Sequence, residues 1–191
     1  MSFRPRPTTR LLAVVGFVLM FGVLSAAPAA ASIDARYPAQ EQYALSLVNC
    51  LRTGGWVTSK GVCIDYGTGK HATYRKPLKF SERLASEISR PQTRRLARAG
   101  YLSHYLGGSI STRFKRAGIT CCQYGENLGH MVTPIKGAVI WIDRAMQGEG
   151  PGGPHYDNFR DRRYKYIGIG VWRSGRDVYV AYDFWDGKTH W

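Results

Sequence analysis

Two β-rich segments close this chain, Tyr164 to Trp172 and Asp177 to Trp185, with Ser174-Gly175 between them. In the second, Val178, Val180, Tyr182 and Phe184 fall on one face of a period-two pattern, so the pair reads as a hairpin. Helical spacing dominates before Gln147 instead. Helices that precede an antiparallel sheet must pack on it to bury their apolar faces, which predicts an α+β domain.

The helical stretches can be placed from their spacing. Ala44, Leu47, Val48 and Leu51 at i, i+3, i+4 and i+7 predict a helix over 39–51. A polar loop rich in Gly, Thr and Lys runs from there to about Pro77. Ser81-Glu82 reads as a helix start, with Leu84 and Ile88 buried, and Pro91 is expected to kink or divide that helix. The pattern resumes near Thr93 and ends at Gly100, a left-handed cap. A short helix is expected over 111–117. Thr133-Pro134 then gives an N-cap with proline at the first helical position. Ile135, Val139, Ile142 and Met146 form the stripe of that helix, and Tyr124 to Leu128 adds a further strand.

The first 31 residues carry the three parts of a secretory leader. Arg4, Arg6 and Arg10 are the basic start, Leu11 to Leu24 the apolar run, and Ala29-Ala30-Ala31 the small-residue end. Cleavage is expected after Ala31, leaving residues 32–191 as a single secreted domain with its core at about 41–184. The competing reading is an uncleaved anchor, since Leu11 to Ala31 could just span a bilayer at roughly 20 residues. Loss of three arginines and no acids would take the formal charge from +14 to +11. A basic surface favours anionic partners such as wall polymers, phospholipid headgroups or acidic glycans. Plain solubility accounts for the same charge. The cations form no long run, which argues against nucleic acid, and a monomer is expected.

Cys50, Cys63, Cys121 and Cys122 all lie in the exported part, where an even count suggests disulfides. Three pairings remain open. Cys50 and Cys63 flank a segment with Gly54, Gly55 and Gly61 and are the preferred pair, although a bridge between neighbouring Cys121 and Cys122 strains disulfide geometry. No C-x-x-C spacing points to zinc at these cysteines.

Of five histidines, His104 just beyond a helix end and His155 in a Gly/Pro-rich turn have the most suggestive surroundings, and Glu126 sits between Gly125 and Asn127. Two imidazoles and a carboxylate could ligate a divalent ion or act as general acid and base. No H-E-x-x-H, G-x-S-x-G, P-loop or dinucleotide fingerprint occurs, and no serine or cysteine nucleophile is signalled.

Several short motifs occur in one order. They are Asn49-Cys50-Leu51-Arg52, Leu78-Lys79-Phe80 to Leu84, then His104, Gly125-Glu126-Asn127-Leu128, Trp141, His155-Tyr156-Asp157-Asn158-Phe159 and Ile167-Gly168-Ile169-Gly170-Val171. In this order they resemble the CAP (SCP-like) superfamily of cysteine-rich secretory, antigen 5 and pathogenesis-related proteins, over about 41–184. The resemblance implies an α-β-α sandwich around a mainly antiparallel sheet. It also implies a shallow cavity holding His104, Glu126 and His155, with His104 and His155 as the residues that would hold a metal such as zinc. One position departs: the family's eukaryotic members place Glu three residues after the helix tryptophan, where this chain has Arg144. Asp143 lies about 100° away around the helix and Glu149 falls in a loop, which leaves a three-member set. Turned inward, Arg144 would repel a cation. The reading is therefore a secreted protein that binds a lipid, wall component or other extracellular partner, with no required cofactor. The alternative is a metal-dependent hydrolase in which Glu126 activates water.

Overall fold

The computed structural model describes residues 36–120 and 123–188. The leader expected over 1–31, and Cys121 and Cys122, lie outside the described residues. The chain opens with α1 (Pro38–Arg52), and a small antiparallel pair follows, β1 (Trp56–Val57) and β2 (Cys63–Ile64). A disulfide joins Cys50 in α1 to Cys63 in β2, which ties the polar loop to the first helix.

After β3 (Lys79–Phe80), Ser81 caps α2 (Glu82–Leu84), its Oγ accepting from the Leu84 N–H at 3.3 Å. The helix is not divided at Pro91. It passes through one π-helical turn (Ala85–Ser89) into α3 (Arg90–Ala99). The wider turn carries the chain past a proline that has no N–H to contribute to an α-helical ladder. Gly100, at φ 77°, ends α3. The remaining elements are α4 (Ile110–Arg116), β4 (Tyr124–Val132), α5 (Ile135–Gly148), α6 (Pro154–Arg160), β5 (Tyr166–Ser174) and β6 (Asp177–Trp185).

Three local expectations are corrected. The helix α4 starts one residue earlier than expected, capped by Ser109, which accepts from the Thr112 N–H at 3.2 Å. Pro134 rather than Thr133 occupies the N-cap of α5. The Gly/Pro-rich turn around His155 contains a helix, α6, with Pro154 at its start, where a missing N–H costs nothing.

The main sheet has the order β3-β5-β6-β4, with β3 parallel to β5 and the other pairs antiparallel. Val48, Leu51, Val139, Met146 and Phe159 from α1, α5 and α6 cover one face, against Ile167, Ile169, Val180 and Tyr182. Leu84, Ile88 and Phe114 form a second cluster, and Leu96 packs with Leu128, Tyr179 and Ala181 on the other face. This is the α-β-α sandwich. Strand alternation explains the Ile-Gly-Ile-Gly pattern of β5: the isoleucines fill one core, while a Cβ at Gly168 or Gly170 would lie 2.4 Å from Leu84 or 2.5 Å from Ser89 backbone. The glycines let the α2–α3 helix lie directly on the sheet.

The first motif is structural. Asn49 Oδ1 accepts from the Leu78 N–H at 2.8 Å and its amide donates to the Leu78 carbonyl at 3.1 Å. Arg52 is buried and donates to the carbonyls of Lys76, Phe159 and Asp161. Together they fasten β3 and the end of α6 to α1. Among the described residues, no helix is long and apolar enough to cross a membrane.

Candidate functional site

The loop after Gly100 delivers His104, whose side chain is 44% exposed. Its Nδ1 lies 2.7 Å from Oε1 of Glu126, a buried carboxylate on β4. Arg113 of α4, only 3% exposed, places Nη2 2.7 Å from the other oxygen of Glu126 and also donates to the His104 carbonyl at 3.2 Å. One arginine therefore sets both the carboxylate and the loop that carries the histidine. Asp183 stands in register with Glu126 across β4 and β6, fully buried. Burial first, and then the charge of Glu126, raises the Asp183 carboxyl well above its usual range, against the opposing influence of Ser89 and Arg113.

His155 sits in the first turn of α6 and is paired differently. Its Nδ1 meets Oε1 of Glu149, the residue that closes α5, and its backbone N–H donates to Oε2 at 3.0 Å. Burial alone would raise the Glu149 carboxyl, but the hydrogen bonds from the His155 ring and backbone outweigh it and hold it below the usual range. The Asn127 amide donates to the His155 carbonyl at 2.9 Å, and the Asn158 amide donates to Asn127 Oδ1 at 2.8 Å. The asparagines of both motifs thus position His155 from the strand.

Alternation along β4 puts these pairs on opposite sides of an edge strand, with Glu126 toward His104 and Asn127 toward α6. A cleft of about 240 Å3 runs along that edge. Its walls include Leu102, Met131, Trp141, Ile142 and Met146, and His130, Glu149 and His155 supply its polar groups. His130 pairs through Nε2 with Asp177 Oδ1 at 2.8 Å and stacks on Tyr179.

His104 and Glu126 pair directly, while His155 pairs with Glu149. Among the described residues, no three or more of His, Cys, Asp and Glu are placed to hold a metal ion, and Glu126 is already held by Arg113. Each imidazole's Nδ1 is already engaged by a carboxylate. Arg144 does not turn into the cleft: its Nε donates to the Val57 carbonyl at 3.3 Å and its guanidinium lies 5.9 Å from the Trp141 ring. Asp143 is fully buried and paired with Gln147.

Sequence reasoning sets Glu149 aside as a loop residue and singles out neither Arg113 nor Asp183; the structure places all three beside the expected residues. For Glu149 the signal was present: a carboxylate six residues before a histidine, across a Gly/Pro-rich turn able to fold back. Nothing local signalled Arg113 or Asp183.

The sequence matches no family model and no curated protein. Its fold is similar to that of an extracellular SCP-domain protein from Bacillus anthracis str. Ames, with a TM-score of 0.55 and 17% identity, over 77% of this chain and 40% of that one. It is also similar to NaASP2, solved with Zn2+, with a TM-score of 0.51 and 17% identity, over 77% of this chain and 79% of that one. The chain thus spans 40% of the length of the Bacillus protein, and the likeness shows the SCP-domain fold.

Proposed function

We propose that this chain is a secreted protein of the CAP superfamily that binds a lipid, or a lipid-bearing wall component, in the cleft beside β4. The order of motifs and the SCP-domain fold together support the family. The observation that carries the binding reading is the composition of the cleft, in which apolar walls surround two imidazoles, His130 and His155, that each already have a carboxylate partner, Asp177 and Glu149. A satisfied pair can orient a polar headgroup without being free to share an ion. At about 240 Å3 the cleft is smaller than a typical small-molecule pocket, which suits a segment of extended chain lying along the strand edge.

The test uses Trp141, which is 56% exposed in the cleft wall. Titration of the full mature chain with oleic acid should change tryptophan fluorescence saturably, and Trp141→Phe should remove that change. Leu102→Asp would place a charge in the apolar wall and should weaken binding by about tenfold or more. No saturable change, or equal binding by Leu102→Asp, would overturn the proposal. Export is part of the same reading: N-terminal sequencing of culture-supernatant protein should begin within a few residues of Ser32, and protein found only in the membrane and starting at Met1 would contradict it.

A further inference from the structure

A second cavity, of about 660 Å3, lies at the opposite edge of the sheet, beside β3. With neighbouring strands about 4.8 Å apart, the two edges are roughly 14 Å from one another. Six of its lining residues are cations, Arg52, Arg75, Lys76, Lys79, Arg162 and Lys165, and no carboxylate lines it. The remaining surface is Tyr74, Tyr164, Tyr166 and Pro77.

Backbone pairing brings these charges together. The Lys79 N–H donates to the Lys165 carbonyl at 2.9 Å, and Lys79 stands in register with Tyr166. Arg52 Nε donates to the Lys76 carbonyl, and the Arg75 N–H donates to the Arg52 carbonyl. Lys76, Lys79, Arg162 and Lys165 are exposed, and none is in an ion pair among the described residues. The neighbouring Asp161 carboxylate is taken by Arg163. Burial first, and then the nearby Arg160, lowers the Arg52 guanidinium to about 10, with Arg75 adding to the effect. A concave surface lined by one sign of charge focuses the field on whatever enters it.

The rings of the floor are held from behind. Tyr164 stacks on Phe184 with centroids 5.3 Å apart, and Tyr166 tilts against Trp185 at 5.8 Å. Held aromatic rings next to unpaired lysines suit a ligand that alternates ring faces with anionic groups. A concave site fits a chain segment better than a flat bilayer, and an oligonucleotide, which also offers ring faces and anionic groups, is an arm of the test below. We infer that this cavity binds an acidic oligosaccharide, its anionic groups on the lysine and arginine rim and a sugar ring on the tyrosine floor. The inference is independent of the cleft beside β4.

The experiment is calorimetric titration of the mature chain with a uronic acid hexamer. A single-stranded DNA oligomer and phosphatidylglycerol vesicles serve as the other arms. The hexamer should bind and lose affinity as salt rises. Lys76→Glu with Lys165→Glu should weaken it by about thirtyfold or more, whereas Arg98→Glu with Arg176→Glu, an equal charge change elsewhere, should alter it less than about threefold. Tyr74→Ala, at the exposed mouth, should weaken it by about fivefold through lost ring contact. Circular dichroism of each variant checks folding. Equal losses in both double variants, tighter binding of DNA or vesicles than of the hexamer, or no binding by the wild type would each overturn the inference.

Discussion

Asp183 is buried beside Glu126 with its carboxyl pushed up in pKa, and the sign of that shift makes a prediction. Below about pH 3.9 the group is protonated both folded and unfolded and has no pH-linked effect. Above that, the unfolded chain releases the proton while the folded one retains it, so this residue lowers stability as pH rises. Asp183→Asn should therefore stabilise the protein by about 1 kcal/mol or more at pH 7, with the gain vanishing near pH 4, as read by urea unfolding at both values. The two site carboxylates should also differ. Glu126→Ala strands the buried Arg113 guanidinium and should cost about 3 kcal/mol. Glu149→Ala, at a half-exposed pair, should cost under about 1 kcal/mol. At this scale the sequence showed His104, Glu126 and His155 through their motifs. It hid their partners, because Arg113 and Asp183 meet Glu126 through a helix and a strand distant in sequence.

The elements were more legible, since periodicity and caps are local. The hairpin of β5 and β6, the Gly100 stop and the helix of Ala44 to Leu51 all read directly. Pro91 misled in part: the expected break became a π-helical turn, whose wider ladder carries the chain past the missing N–H. The two-residue strands β1, β2 and β3 left no periodic trace, being too short to show alternation. The glycines of β5 give this scale its test. Gly170→Ala would drive a Cβ to 2.5 Å from Ser89 backbone and should cost about 2 kcal/mol, whereas Gly150→Ala meets no atom within 4 Å. The latter has positive φ and should show only a smaller backbone penalty. Cys63→Ser opens a 13-residue loop and should cost about 3 kcal/mol in urea unfolding in the chain-entropy model.

For the whole molecule, the sandwich leaves two sheet edges, and each carries a cleft of different chemistry. The β4 edge is apolar with paired imidazoles; the β3 edge is cationic with an aromatic floor. Motif order made the fold legible at this scale, but a motif lists residues without saying which side of a strand each one faces. That is why Glu126 and Asn127, adjacent in sequence, serve His104 and His155 from opposite faces of β4. Each of these histidines pairs with its own carboxylate, and on the proposed reading the cleft binds its ligand without a metal shared between them. Calorimetric titration of zinc into the wild type, His104→Ala and His155→Ala tests it most directly. No stoichiometric heat is expected in the wild type beyond that of either variant. A one-to-one zinc isotherm in the wild type that disappears in both variants would contradict it and restore the metal-dependent hydrolase.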